Sequence, residues 1–259
     1  MDIVLYIVAG ASVGFLVGLT GVGGGSLMTP LLLLFGFPPH IAIGTDLMYA
    51  AITKAGGVFA HARHHHIDWR LVGLLAMGSL PASLFTLWML STFFTEPEKY
   101  SQLLTSSLGI MLILTSIVLM FKNKLVVKQK HLGEKASFIA TYRSQVTVFM
   151  GFLLGMFVTL SSVGAGAIGT AVLMILYPAL VASRVVGTDL AHAVPLTFIA
   201  GLGHMQLGNV DYYLLGSLLI GSLPAIHFGS KLSKYMPPNI LRPVLASMLM
   251  IIGVKYAFF

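Results

Sequence analysis

Ten apolar stretches, parted only by short polar breaks, fill nearly the whole chain: about 3–20, 26–37, 42–61, 71–91, 101–121, 146–160, 164–182, 185–203, 212–230 and 240–258. A membrane-spanning helix needs about 20 predominantly apolar residues. Inside hydrocarbon, only helices and closed barrels satisfy their own backbone hydrogen bonds. The pattern therefore predicts an all-α polytopic membrane protein, with almost nothing left for an extramembrane domain. Only 9% of the 259 residues are charged and the mean hydropathy is +0.92, against about 25% charged in soluble domains. A soluble enzyme, a nucleic-acid-binding domain and a disordered chain are excluded. Two stretches, 26–37 and 146–160, are short for full spans and read as half-helices or re-entrant segments.

The formal net charge of +7 is a topology signal, because the basic residues gather between the apolar stretches. Segment 122–143 carries Lys122, Lys124, Lys128, Lys130, Lys135 and Arg143 against Glu134. The positive-inside rule makes it a cytoplasmic linker between one transmembrane repeat over 1–121 and another over 144–259. Counting outward, the loop with Glu96 and Glu98 lies outside, and the loop from Arg63 to Arg70 inside. Arg184 lies inside, segment 205–211 outside, and the loop with Lys231, Lys234 and Arg242 inside. Both termini then lie outside. Met1-Asp2 lacks the basic region that opens a cleaved signal peptide, so the first stretch is expected to be retained. The absence of cysteine rules out disulfides, thiolate metal sites and a persulfide relay.

The chain also repeats itself. Gly44-Thr45-Asp46-Leu47 recurs 143 residues later as Gly187-Thr188-Asp189-Leu190. At the same offset His61 recurs as His204, Asp68 as Asp211, and Gly78-Ser79-Leu80-Pro81-Ala82 as Gly221-Ser222-Leu223-Pro224-Ala225. Upstream, Gly10, Gly14, Val22, Gly23 and Gly25 fall on Gly151, Gly155, Val163, Gly164 and Gly166. Five segments per half is an odd number, which predicts halves of opposite orientation. The charges agree, because the basic 61–70 loop corresponds to 204–213, whose one charged residue is Asp211. Two inverted-topology repeats with Gly-broken helices at the centre are the architecture of alternating-access transporters. A channel, or a duplication that serves packing alone, is the competing reading.

Three constellations carry chemistry. Gly21-Val22-Gly23-Gly24-Gly25 breaks an apolar stretch, and Ser161-Ser162-Val163-Gly164-Ala165-Gly166 repeats the break with two hydroxyls. A half-helix after such a break aims free N–H groups at it, a site for a small oxyanion without arginine; close helix packing is the alternative. Next, Asp46, Lys54 and Asp189 are the acidic or basic residues that stand well inside the apolar stretches, where ionisable groups are costly and functional. His192 follows Asp189 by one turn, on the same face, and Asp–His neighbours can relay protons. Lys54 can pair with an anionic substrate or with an aspartate, and its counterpart is Thr197. For each Asp the plain alternative is a helix N-cap. Last, His61, His64, His65 and His66 invite a metal reading, but flanking Arg63 and Arg70 favour a solvated interfacial cluster. Pro81 and Pro224 stand at matched points inside spans and predict kinks. No Gly-Lys-Ser/Thr follows the glycines, so they are not a P-loop.

Gly18-Leu19-Thr20-Gly21-Val22-Gly23-Gly24-Gly25 followed by Pro30, then Ile43-Gly44-Thr45-Asp46-Leu47 and Ile67-Asp68-Trp69, resemble the sulfite exporter TauE/SafE family, also called the 4-toluene sulfonate uptake permease family. The second half adds Val186-Gly187-Thr188-Asp189-Leu190 and Gly208-Asn209-Val210-Asp211-Tyr212. The resemblance covers nearly the whole chain. It implies a permease or exporter for sulfite, thiosulfate or an organosulfonate in a bacterial or archaeal plasma membrane, coupled to an ion gradient. An uncharged residue is commoner in the family where Asp46 and Asp189 stand, and the second glycine motif has no proline matching Pro30.

The expected machinery is therefore a substrate site of Gly23, Gly24, Gly25, Thr45, Lys54, Ser162, Gly164, Gly166 and Thr188, with Asp46, Asp189 and His192 coupling protons. The partners are a small anion and the lipid bilayer, with room for a homodimer and no role for nucleic acid. Neither enzymatic activity, nor a cofactor, nor a metal is expected. A permease or channel for another small anion, such as a carboxylate, is the alternative. A His-cluster metalloenzyme and an assembly subunit stand behind it.

Overall fold

The computed structural model describes residues 3–20, 27–93, 97–131, 142–232 and 238–258. These form ten α-helices: α1 (Ile3–Thr20), α2 (Met28–Leu34), α3 (Pro39–Arg63), α4 (Trp69–Phe93), α5 (Pro97–His131), α6 (Arg143–Ser161), α7 (Ala167–Leu176), α8 (Ala182–Gln206), α9 (Tyr212–Leu232) and α10 (Pro238–Phe258). The described residues contain no strand. Five segments, on α4, α5, α6, α8 and α9, are long and apolar enough to cross a bilayer. The surface carries Phe59, Trp69, Trp88, Phe149, Phe228 and Ile251, while Thr45, Asp46, Lys54, Asp189, His192 and His204 are buried. Large apolar groups outside and ionisable groups inside suit a hydrocarbon solvent, not water.

Two sequence-based boundaries need correction. Segment 146–160 belongs to α6, a helix of 19 residues, long enough to span. The short helix of the second half is instead α7, with 10 residues, beside the seven-residue α2 of the first half. Apolar content hid which side of the 161–166 stretch is short, because the residues on both sides of it are hydrophobic. The basic stretch after Phe121 begins as helix, since α5 runs on to His131. Lys, Leu and Gln are good helix formers, and the first glycine after Phe121 is Gly133.

Helix contacts come in matched pairs. α1 lies along α9, and α6 along α4, both in parallel. A Cβ on Gly10 would stand 2.3 Å from Leu218 O, and one on Gly14 2.6 Å from Ser222 O. In the other pair, a Cβ on Gly151 would stand 2.4 Å from Leu75 O and one on Gly155 2.3 Å from Ser79 O. Small residues let backbones approach this closely. α3 packs on α8, and α5 on α10, both antiparallel: Gly57 meets Leu190 while Gly201 meets Met48, and Gly109 meets Ala257 while Ser116 bonds Ala246.

The starts of α4 and α9 are built alike. Asp68 and Asp211 cap them, accepting from Leu71 N at 3.3 Å and Leu214 N at 2.9 Å. The N–H of each capping residue crosses to a threonine of the other half. Asp211 N donates to Thr45 Oγ1 at 3.1 Å, and Asp68 N donates to Thr188 Oγ1 at 2.9 Å.

Candidate functional site

Asp46 and Asp189 are not N-caps. Their helices start at Pro39 and Ala182, two turns earlier, and both carboxyls are buried. Asp46 Oδ2 accepts from Thr29 Oγ1 at 2.5 Å and from Thr29 N at 3.2 Å, on α2. Asp189 presses against the start of α7, where a Cβ on Gly169 would stand 1.9 Å from its Oδ1. Each aspartate thus meets the short helix of its own half, and Gly169 leaves room for the second.

Between α6 and α7 the chain leaves helical geometry. Ser162 closes α6 in the left-handed region at φ 59°, and Gly164 and Gly166 follow at φ 114° and 125°. Glycine takes such angles without the Cβ penalty a side chain would bring. The break turns the Ala165 carbonyl toward α3, where it accepts from Lys54 Nζ at 3.2 Å. Lys54 is 4% exposed and lies in the field of both Asp189 and Asp46. Ser162 stands beside Asp46, and its hydroxyl has no hydrogen-bond partner. Gly23, Gly24 and Gly25, expected from the sequence to form the matching break, lie outside the described residues.

Around these charges lies a second matched pair. His192 Nε2 and Ser79 Oγ share a hydrogen bond of 2.7 Å. At the repeat-related positions stand Tyr49 and Ser222, side by side and each without a hydrogen-bond partner. Asp46 Oδ1, Tyr49 OH, Ser162 Oγ, His192 Nδ1 and Ser222 Oγ are all buried and lack a hydrogen-bond partner. Each unsatisfied polar group of this kind costs about 1–3 kcal/mol in a dry interior. Such a concentration at one place is the chemistry of a polar ligand site.

Of the residues singled out from sequence, Asp46, Lys54, Asp189, His192 and Ser162 gather here. Gly164 and Gly166 shape the break. Thr45 and Thr188 are buried one residue away from the aspartates, with their oxygens engaged by Asp211 N and Asp68 N. Sequence reading missed Thr29, Tyr49, Ser79, Gly169 and Ser222. Ser79 and Ser222 were visible as an identical pair in the repeat, whereas nothing in the sequence singles out Thr29 or Gly169.

The histidines of the interfacial cluster sit elsewhere. His61 and His66, and His64 and His66, have ring centroids 5.9 Å apart. Their turn lies 15 residues beyond Asp46 along α3, about 22 Å at the helical rise. His204, the repeat counterpart of His61, has both ring nitrogens engaged. Nε2 donates to Thr159 O at 2.9 Å, Nδ1 accepts from Asn209 Nδ2 at 3.1 Å, and Tyr100 donates to Asn209 Oδ1 at 3.0 Å.

The whole chain has relatives of the same kind. It is 38% identical over 249 residues to the probable membrane transporter protein YjnA of Bacillus subtilis, covering 96% of this chain and 97% of the relative. A probable membrane transporter protein of Methanocaldococcus jannaschii is 30% identical over 267 residues, covering 96% and 93%. A second Bacillus subtilis relative, the probable membrane transporter protein YdhB, is 28% identical over 245 residues, covering 92% and 96%. No solved structure matches the chain. The sulfite exporter TauE/SafE family matches residues 6–256, and the chain belongs to that family of membrane transporters.

Proposed function

We propose that this protein is a secondary transporter of a small sulfur-containing anion such as sulfite, thiosulfate or an organosulfonate, driven by a proton gradient across a bacterial or archaeal plasma membrane. The observation that carries the reading is the buried cluster of Asp46, Lys54, Asp189 and His192 beside the helix break at Ser162–Gly166. Ionisable groups held inside a membrane domain mark a transport path. Broken helices that meet at the middle of two repeats are where transporters bind their cargo.

Two halves of opposite orientation, over 1–121 and 144–259 with a cytoplasmic linker between, account for the helix directions. Repeat mates α3 and α8 run antiparallel, as do α5 and α10, which an inverted repeat requires. The anion sits between the two breaks. It takes N–H groups at Gly23, Gly24 and Gly25 on one side and at Gly164 and Gly166 on the other, with the Ser162 hydroxyl and the Lys54 charge. Thr45 and Thr188 fasten each half to the other on either side of it. The anion adds negative charge to a cluster that already holds two carboxylates and one ammonium. A proton taken up by Asp46 or Asp189, with His192 as relay, offsets that charge and couples the two fluxes.

Uptake into proteoliposomes of sulfite, sulfate, thiosulfate, a sulfonate and a carboxylate, with and without an imposed pH gradient, tests this reading. Saturable accumulation of a sulfur oxyanion that follows the gradient is the expected result. Accumulation of the carboxylate alone, or flux of any anion that only equilibrates, overturns it.

A further inference from the structure

We infer that the Lys54 ammonium is a built-in cation: it fills a site of hard oxygen ligands that would otherwise take an alkali-metal ion, and this chain therefore works without one. Ala165 O projects from the break between α6 and α7 and accepts from Lys54 Nζ at 3.2 Å. The carboxyls of Asp189 and Asp46 stand in the surroundings of the same buried ammonium. Asp46 Oδ1 is buried with no hydrogen-bond partner. Carboxylates joined by a carbonyl from an unwound helix make an all-oxygen set, the kind that holds alkali and alkaline-earth cations. In broken-helix transporters such carbonyls coordinate the coupling ion. A lysine ammonium is a compact monovalent charge with three donors, so it can stand where such an ion would.

A plain structural ion pair does not explain the arrangement as well. Pairing alone needs one carboxylate, whereas Lys54 has two in its surroundings and donates to the break carbonyl. The charge is moreover absent from the other half. At the repeat-related position Thr197 turns its hydroxyl back to its own helix, donating to Ala193 O at 2.9 Å.

The inference rests on reading this cluster as the transport site, but its first test needs no substrate. Wild-type protein and Lys54→Thr, which installs the residue of the other half, are melted in detergent. Each is measured in choline chloride, sodium chloride and potassium chloride at equal ionic strength. Lys54→Thr should melt lower than wild type in choline and gain roughly 4 °C, saturably, with sodium or potassium; wild type should not respond. A variant indifferent to all three cations, or a wild type that gains as much, overturns the inference. Should Lys54→Thr fail to fold, wild-type flux decides. It stays unchanged when choline replaces sodium at constant pH, and sodium-dependent flux overturns the inference. A cation-specific gain without uptake of any sulfur anion would sink the proposed substrate and leave the cation site standing. Uptake without a cation response would do the reverse.

Discussion

The reciprocal bonds Thr45–Asp211 and Thr188–Asp68 give the two-sided mechanism its sharpest test. Thr45→Val keeps the shape of the side chain but removes the acceptor of Asp211 N, now 3.1 Å away. Thr188→Val does the same to Asp68 N at 2.9 Å. Both threonines are fully buried, and beside each a backbone closes in: a Cβ on Gly44 would stand 2.2 Å from Asn209 O, and one on Gly187 2.3 Å from His66 O. Losing one bond while the contact stays closed costs about 1–2 kcal/mol. Opening to water removes that cost, so the ratio of open to closed molecules should rise about 5–30-fold. On the proposed inverted repeat and orientation, the two bonds lie toward opposite membrane faces, with 205–211 outside and 61–70 inside. Because the chain has no cysteine, Ser222→Cys supplies a single buried thiol near Tyr49 as the reporter. An impermeant thiol reagent is applied to right-side-out and inside-out vesicles. Thr45→Val should speed labelling from outside only, and Thr188→Val from the cytoplasmic face only. Acceleration from the same face in both variants refutes the inverted arrangement. Rates within twofold of the parent in both refute the role of these bonds as closures.

Other perturbations separate packing from chemistry. Asp46→Asn or Asp189→Asn should flatten the pH dependence of flux in proteoliposomes while the protein stays monodisperse; dependence that persists in both variants removes the proton-relay role. Gly78→Ala and Gly221→Ala, whose Cβ atoms would stand 1.9 and 2.0 Å from Val148 O and Ile7 O, should each cost about 1–3 kcal/mol. Gly73→Ala and Gly216→Ala meet nothing within 4 Å and should gain up to about 1 kcal/mol, so thermal melts that fail to separate the two pairs contradict the helix contacts. Gly169→Ala would drive the Asp189 carboxyl away from α7 and should slow initial uptake about 10–100-fold; an unchanged rate removes the need for that carboxyl at its present place.

How much of this was legible in the sequence depends on what kind of signal each part leaves. Helix existence was legible, because burial in hydrocarbon demands long apolar runs and the chain supplies them. The break at 161–166 could be read from its glycines and serines; which neighbouring segment is the short helix could not, because apolar residues continue on both sides of it. The aspartates stood out because a charge in an apolar run is conspicuous. Their partners did not, because Thr29 and Gly169 are ordinary residues made special by the helix that faces them. Repeat arithmetic found Ser79 and Ser222 without assigning them work. Tyr49 was concealed by the same arithmetic, since a residue that differs from its counterpart, His192, looks like noise until the serine beside each is seen.

Those unequal positions are where the proposed mechanism must lie. The scaffold is matched between the halves: glycines on backbone oxygens, aspartate caps, and threonines reaching across. Matched parts alone make the inward and outward states near-equal in energy, as alternating access needs, but they give no sign of charge and no coupling. On the proposed reading, chemistry enters through the substitutions the duplication did not keep, Lys54 against Thr197 and His192 against Tyr49. One fixed ammonium against two carboxylates leaves a single negative charge uncompensated. A proton cancels that charge, and the arriving anion restores it. The reading therefore predicts that equalising the halves at these two positions abolishes coupling before it abolishes folding. His192→Tyr should leave melting within a few degrees of the parent, because a buried ring still faces Ser79, while the response of flux to pH is lost. A variant that melts normally and keeps its pH response would assign the relay to the carboxylates alone.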